Sequence, residues 1–390
     1  MSLRTKQAFI LFLATVLPFG LGAGAMHLVV APAYRKEVLL TSVGMSQRLA
    51  EHLSWNLARE VGRLEKLGAW HQVRALAGRA PLSHAEAAAL ERGWQQLPAG
   101  AAPVQALLES PVARELQWWQ ETEGGAAELI ATNAQGQVVA ASGKTSDFLQ
   151  ADESWWQEAY DGGKGRVYVS DLHYDESARA WGIDIAVPIY ADGSSRTPAI
   201  GVLKMVLDAA VAFQDVKRVE VGENGHALLV DQRGRILASP GGGPPLARSL
   251  PLPGIRLLPG EPGGSAVVPA GGDAVLLAWS EVPLSRDIEH EQARTPVFYV
   301  VTQRSAAEAF RPLRMVQSWM LAISLFTIAA AVGLGYWLAD VWVVRPVQAL
   351  AAGMRVLARG DFVQAAAAAE ELTRSNGKAA SKKKDAAPHP

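Results

Sequence analysis

Residues Ala126 to Ala141 read AAELIATNAQGQVVAA, and this stretch decides the fold. Its two arms are mostly apolar, and Asn133-Ala-Gln-Gly136 between them carries the polar, glycine-bearing chemistry of a strand-turn-strand hairpin. The pattern returns in shortened form at Gly225 to Val230 and Arg235 to Ser239, which flank Asp231-Gln-Arg-Gly234. Two weak copies of one hairpin imply two stacked modules, with a boundary near Phe213 to Gly222. Arg166 to Leu172, Ala180 to Ile189 and Ala199 to Asp208 add strands to the first copy, separated by Gly, Asp and Ser clusters. Val267 and Val268, Ala274 to Trp279 and Val297 to Thr302 add strands to the second, after a Pro/Gly-rich loop from Pro240 to Gly264.

Upstream of the first hairpin the period changes. From Tyr34 to about Arg79, Leu39, Val43, Leu49, Leu53, Leu57, Val61 and Leu64 recur at helical spacing, and no proline intervenes before Pro81. One long helix is expected there, followed by shorter ones over Ser83 to Leu97 and Pro103 to Trp119. Helices first and antiparallel strands second make an α+β fold: a long N-terminal helix and two sheet modules.

Further out lie two apolar runs. Residues 8–33 carry almost no charge between Arg4 and Lys6 on one side and Arg35 and Lys36 on the other. A run of roughly 20 apolar residues spans a bilayer. The alternative is a cleaved signal peptide, with Ala23-Gly-Ala25 as the small-residue site. The continuation through Leu28, Val29 and Val30 and the presence of a second run favour an uncleaved anchor. The second run occupies residues 317–344, with Asp340 its one charge from Trp319 onward and tryptophans near both ends, as interfacial anchoring requires. Residues 1–7 carry Arg4 and Lys6, and residues 345–390 carry eight basic against four acidic side chains. The positive-inside rule therefore puts both termini in the cytoplasm and the intervening domain outside.

Composition removes other classes. The chain has 390 residues, 37 basic and 38 acidic side chains and no cysteine. That balance excludes a nucleic-acid binder held by phosphate electrostatics. The missing cysteine excludes disulfides, thiolate metal sites and thiol nucleophiles. No nucleophile, metal or cofactor motif has adequate spacing, so no cofactor is expected and an enzyme is disfavoured. His173 and His226 lack a partner at ligand spacing, and His290-Glu291 lacks the second histidine of a zinc hydrolase motif. Gly241-Gly-Gly-Pro-Pro has no Lys-Ser/Thr, so it is not a phosphate loop, and the Lys382 to Lys384 run reads as solvated tail.

From Tyr34 to Leu313 the chain resembles the double Cache extracytoplasmic sensors of bacterial chemoreceptors and histidine kinases. The resemblance rests on Asp152-Glu-Ser-Trp-Trp156, Gly165-Arg-Val-Tyr-Val-Ser-Asp171, Tyr174-Asp-Glu-Ser177, Ile185-Ala-Val-Pro-Ile189 and Gly201-Val-Leu-Lys-Met-Val-Leu-Asp208. It implies two PAS-like modules, membrane-distal at 34–216 and membrane-proximal at 217–313, in a homodimer at the bacterial inner membrane. Arg345-Pro-Val-Gln-Ala-Leu350 through Gly360-Asp-Phe362 is similar to the first helix and turn of a HAMP linker over 345–363, with Val347, Leu350, Met354 and Leu357 as its seam. No second HAMP helix is recognisable, and 364–390 is polar, low in complexity and expected to be disordered. The expectation is a receptor without its own output domain, read by a separate cytoplasmic signalling protein.

The candidate ligand site is Glu153, Trp155, Trp156, Tyr168, Asp171, Tyr174 and Asp208, aromatics with a few converging polar groups. In the amino-acid-binding members an arginine holds the ligand carboxylate and an aspartate its amine. Glu153 stands in the place of that arginine, and Val206 in the place of that aspartate, two residues before Asp208. Exchange of arginine for a carboxylate reverses the charge preference. Asp171, Asp175, Glu176 and Asp184 then favour a cation, whether a polyamine, a quaternary ammonium or a metal. The plain alternative makes Trp155 and Trp156 half core and half surface and the acids loop solvation. At the level of the whole protein, the alternative to a sensor is a membrane-anchored interaction subunit that binds a partner protein.

Overall fold

The computed structural model describes residues 3–358 apart from 123, 251–254, 262, 285–287, 289–292 and 294. The Gly360-Asp-Phe362 turn, the 364–390 tail and His290-Glu291 lie outside the described residues. The chain divides into two compact units, Arg35–Arg311 and a second formed by Met1–Tyr34 with the chain from Pro312 onward.

The smaller unit holds α1 (Leu3–Ala25) and α11 (Arg311–Ala339). Both belong to helical runs long and apolar enough to cross a membrane. Each run contains one π-turn, at Met26–Val30 and at Asp340–Val344. Asp340, the one acid there, pairs with Arg345 of α12 (Arg345–Ala358) at 2.9 Å.

The larger unit begins in α2 (Ala31–Gly68), shorter than the helix expected to reach Arg79. Arg74, in the separate α3 (His71–Ala77), donates to the Ala69 carbonyl at 2.9 Å and the Ala191 carbonyl at 2.9 Å, fixing the corner between the two helices. Two helices of the next layer are α4 (His84–Trp94), opened by a Ser83/Glu86 capping box, and α5 (Ala102–Leu108). The helix expected over Pro103 to Trp119 is broken, because the Ser110 hydroxyl accepts the Ala113 N–H and starts α6 (Pro111–Thr122) with proline at its first turn.

Two six-stranded antiparallel sheets follow. The first contains β1 (Ala126–Thr132), β2 (Val138–Ala141), β3 (Tyr168–Val169), β4 (His173–Asp175), β5 (Ala180–Tyr190) and β6 (Ala199–Asp208) in the order β2-β1-β6-β5-β3, with β4 also on β5. The strand expected over Arg166 to Leu172 is thus reduced to β3, and α7 (Ser154–Tyr160) precedes it. Short helices α8 (Ala209–Ala212) and α9 (Gln214–Arg218) lead to the second sheet. This has β7 (Glu220–Val221), β8 (Gly225–Asp231), β9 (Ile236–Ala238), β10 (Gly264–Ala270), β11 (Asp273–Glu281) and β12 (Phe298–Ser305), ordered β10-β11-β12-β8-β7 with β9 on β8, and the short helix α10 (Ala306–Ala309) follows β12.

The repeated hairpin is a repeat at atomic detail. Asn133 Oδ1 accepts the N–H groups of Gln135 and Gln137 at 3.0 Å each, and Asp231 Oδ1 accepts those of Arg233 and Arg235 at 2.9 and 2.8 Å. Each turn closes on a glycine at positive φ, Gly136 at 73° and Gly234 at 75°.

One continuous core joins the two sheets. On α2, Leu53, Leu57, Val61 and Leu64 are buried at three- and four-residue spacing, beside Leu129, Ile183, Leu203 and Met205 of the first sheet and Leu229 and Val300 of the second. A fully buried leucine contributes about 1.5–3 kcal/mol. This packing uses one face of the first sheet, leaving Glu128, Asp184 and Lys204 on the other.

Candidate functional site

Glu128 of β1, Asp184 of β5 and Lys204 of β6 share the sheet face turned away from α2, because side chains alternate along a strand. The register places Val206 opposite both Glu128 and Asp184, while Lys204 lies opposite Ile130 and Ala186. Val206 is therefore flanked by carboxylates on both neighbouring strands. Over this face lies a cavity of about 480 Å³.

The cavity floor is a buried ionic group. Lys204 Nζ lies 3.3 Å from Asp175 Oδ2 and 3.2 Å from Asp184 Oδ1, with 7–8 % of each side chain exposed. The ammonium also stands 5.2 Å from the Trp155 ring centroid, within cation–π range. Asp175 Oδ1 further accepts the Ala178 N–H at 2.8 Å and the Ser177 hydroxyl at 2.7 Å. Ser177 Oγ also lies 2.9 Å from Glu128 Oε2. One hydroxyl has one hydrogen, so it can donate to only one carboxylate at a time.

Burial and partners set the protonation of the group. Burial works against the charged forms of Asp175 and Lys204 but is outweighed, in Asp175 by its hydrogen bonds with Ala178, Ser177 and Lys204, and in Lys204 by Asp184, Asp175 and Glu128. Asp175 therefore stays below the usual carboxylate range and Lys204 above the usual lysine value. Glu128, only 4 % exposed, is pushed up to about 7 by burial, against the pull of Lys204. Burial likewise raises Asp184, opposed by Lys204 and His173.

Five of the seven residues proposed from the sequence line this cavity: Glu153, Trp155, Tyr168, Asp171 and Tyr174. Glu153 is the N-cap residue of α7, and burial followed by Asp152 raises its carboxyl. Trp155 is 3 % exposed and Tyr174 is 44 % exposed, its ring edge-on to Trp181. The other two lie elsewhere. Trp156 shares a buried apolar cluster with Trp155 but does not line the cavity; it donates from Nε1 to Thr132 Oγ1 at 2.9 Å and stacks on Tyr160 at 4.6 Å. Asp208 ends β6, accepts the Ala210 N–H at 2.7 Å as the cap of α8 and lines a different cleft, beside Arg179 and Arg248.

Sequence reasoning missed Lys204, Glu128 and Ser177. The signal was available: a lysine in GVLKMVLD and a glutamate in AAELIAT, each with apolar residues on both sides, need a buried partner. His173, Asp175 and Asp184 bring ligand atoms within 4.8 Å of one another, a spacing that suits a metal ion. The Lys204 ammonium, however, contacts both aspartates, so a divalent ion would require its departure. A second cleft of about 410 Å³ shares Tyr168 and Asp171 with the first and is lined on its other side by Arg233 and Arg235 of the second hairpin turn.

A family model described as "Cache domain" matches residues 103–313, more than half of the chain. No curated protein matches. Similar solved structures include the ligand-binding domain of the Pseudomonas fluorescens chemoreceptor CtaA in complex with L-isoleucine, 14% identical, covering 73% of this chain and 98% of that one at a TM-score of 0.45. The sensory domain of the Campylobacter jejuni chemoreceptor Tlp3 is 15% identical, covering 71% and 99% at 0.43. The ligand-binding domain of the Pseudomonas aeruginosa amino-acid chemoreceptor PctC in complex with GABA is 16% identical, covering 67% and 96% at 0.43.

Proposed function

The chain belongs to the Cache domain family of sensor modules, and from that premise we propose that it is a membrane-anchored sensor whose outward-facing domain binds a small cationic ligand in the cavity of its first sheet. The observation that carries the reading is the charge of the lining. Glu128, Glu153, Asp171, Asp175, Glu176 and Asp184 face one lysine and one histidine there. Even with Glu128 protonated, carboxylates outnumber the ammonium, and a cation satisfies them where a free carboxylate would be repelled. Trp155 and the half-exposed Tyr174 add aromatic surface for an ammonium.

Two apolar helices anchor the domain, with both termini cytoplasmic and 345–363 acting as a HAMP-like connection in a homodimer. Ligand occupancy biases two packings of the domain. Tyr168 and Asp171 line both the ligand cavity and the cleft facing the second hairpin turn. They are the route by which occupancy of the first module is felt by the second, and the displacement then passes to cytoplasmic signalling machinery.

The test is a thermal-shift screen of the full chain in detergent against small amines, quaternary ammonium ions, amino acids, organic acids and divalent cations. A ligand specific to the folded state at a hundredfold excess over its dissociation constant adds about 2.7 kcal/mol of stability. A shift with cationic ligands that is lost in Glu153→Gln supports the reading. A shift with amino acids or organic acids alone overturns the charge preference, and no shift with any class transfers the reading to a partner-binding subunit.

A further inference from the structure

An aromatic face and two carboxylates around an ammonium are what a protein uses to hold a small organic cation from solution. Here all three are present, and the ammonium arrives on β6 of the same chain. Trp155 lies 5.2 Å from Lys204 Nζ, Asp184 Oδ1 3.2 Å and Asp175 Oδ2 3.3 Å, so the ammonium has one hydrogen-bonded carboxylate, a second ion-paired one and an aromatic face. A single structural ion pair would need only one acid. This group has two, with Glu128 linked to Asp175 through the shared Ser177 hydroxyl, and it forms the inner wall of an open cavity. The hold is also loose in one respect: Asp184 Oδ1 is buried and makes no well-aligned hydrogen bond, although it is ion-paired.

We infer that Lys204 is a tethered cation: its ammonium permanently fills the inner of two cation subsites, leaving the outer carboxylates Glu153, Asp171 and Glu176 for a free ligand. This deepens the sensor reading above and rests on it for the outer subsite. The intact protein accordingly takes a small monocation and does not use both charges of a short diamine. A divalent metal at His173, Asp175 and Asp184 is excluded while the ammonium is in place. Charge set by the chain thus decides how many positive charges the ligand brings.

The experiment is calorimetric titration of the full chain in detergent at pH 7 and fixed ionic strength, with n-propylammonium chloride and 1,4-diammoniobutane dichloride as probes. Lys204→Ala removes Cγ, Cδ, Cε and Nζ, the atoms n-propylammonium supplies. The variant is expected to bind that ion at least tenfold more tightly than the parent, and the gain is expected to vanish when Asp175→Asn and Asp184→Asn are added. A folded Lys204→Ala chain with no tightening overturns the inference. Should that variant fold only when n-propylammonium is present, the rescue supports it; failure to fold with the ion at high concentration counts against it. The parent chain supplies an independent measurement: 1,4-diammoniobutane binding tenfold or more tighter than n-propylammonium shows that the inner subsite is open and overturns the inference. If the parent binds no ammonium while Lys204→Ala does, the sensor reading of the outer subsite fails and the tethered cation stands.

Discussion

The two sheets share a backbone plan and differ in what they place on their outer faces. Counting back from the two turns, Glu128 corresponds to His226, Ile130 to Leu228 and Thr132 to Val230. Across the ladder, Lys204 opposite Ile130 corresponds to Val301 opposite Leu228, and Asp184 corresponds to Leu277. The second sheet fills this face with a closed apolar cluster that includes Leu228, Val230, Leu277, Tyr299 and Val301. The first sheet has there a buried lysine, two buried aspartates and an open cavity. A repeated fold does not repeat a site. Three stations on three central strands decide whether the face becomes a plugged core or a charged chamber.

Moving the lysine from one sheet to the other should have the largest effect. Val301→Lys puts an ammonium where Leu277 and Leu228 stand, without the two buried aspartates that hold Lys204. It should cost on the order of 3–5 kcal/mol, measured as a lowered denaturation midpoint of the full chain. A loss under about 1 kcal/mol would mean that the two faces are less different than their residues imply.

Glu128 makes the stability of the first sheet depend on pH. Its folded value of about 7 lies above the ordinary 4.5, so the folded chain holds a proton that the unfolded chain releases between those values. That stability is present below about pH 4.5 and is lost as the pH rises through 7. Relative to wild type, Glu128→Gln should be neutral at pH 4 and more stable at pH 8 by roughly 1–3 kcal/mol. Parallel pH profiles of the two proteins would place the proton elsewhere. The smallest effect belongs to Asp208→Ala, which loses the α8 cap for about 1 kcal/mol and leaves ammonium binding unchanged. A tenfold loss of binding in that variant would return Asp208 to the ligand site.

Much of this architecture was legible in the sequence because its signals are local. The Asn133 and Asp231 turns announce themselves by an Asx residue three positions before a glycine, and α2 by the spacing of Leu53, Leu57, Val61 and Leu64. The corner after Gly68 was hidden because Arg74 makes it through carbonyls, one of them distant in sequence. The candidate site was half legible. Trp155 and Trp156 look equivalent in a string, but consecutive residues on α7 point about 100° apart, and only the first reaches the cavity. Asp208 has the parity of Lys204 and Val206, yet the strand ends on it and the following turn takes its carboxylate. Lys204 was overlooked because its partners come from β4 and β5, a pairing no local pattern records.

The spine α2 carries a consequence for how such a gene can change length. At one point it is stitched to the second sheet, where Ser46 Oγ lies 2.8 Å from Thr302 Oγ1 and donates to the Ala278 carbonyl at 3.0 Å. At its end Gly68 abuts Val187 and Leu203 of the first sheet. From Ser46 to Gly68 the helix rises about 33 Å at roughly 1.5 Å per residue, so one inserted residue turns one stitch about 100° away from the other. Insertions and deletions between these two points are tolerable only in near-integral helical turns, whereas the surface loops can vary freely. Length drift in this lineage of sequences should therefore spare that helix segment and collect in stretches such as the Pro/Gly-rich loop after Pro240.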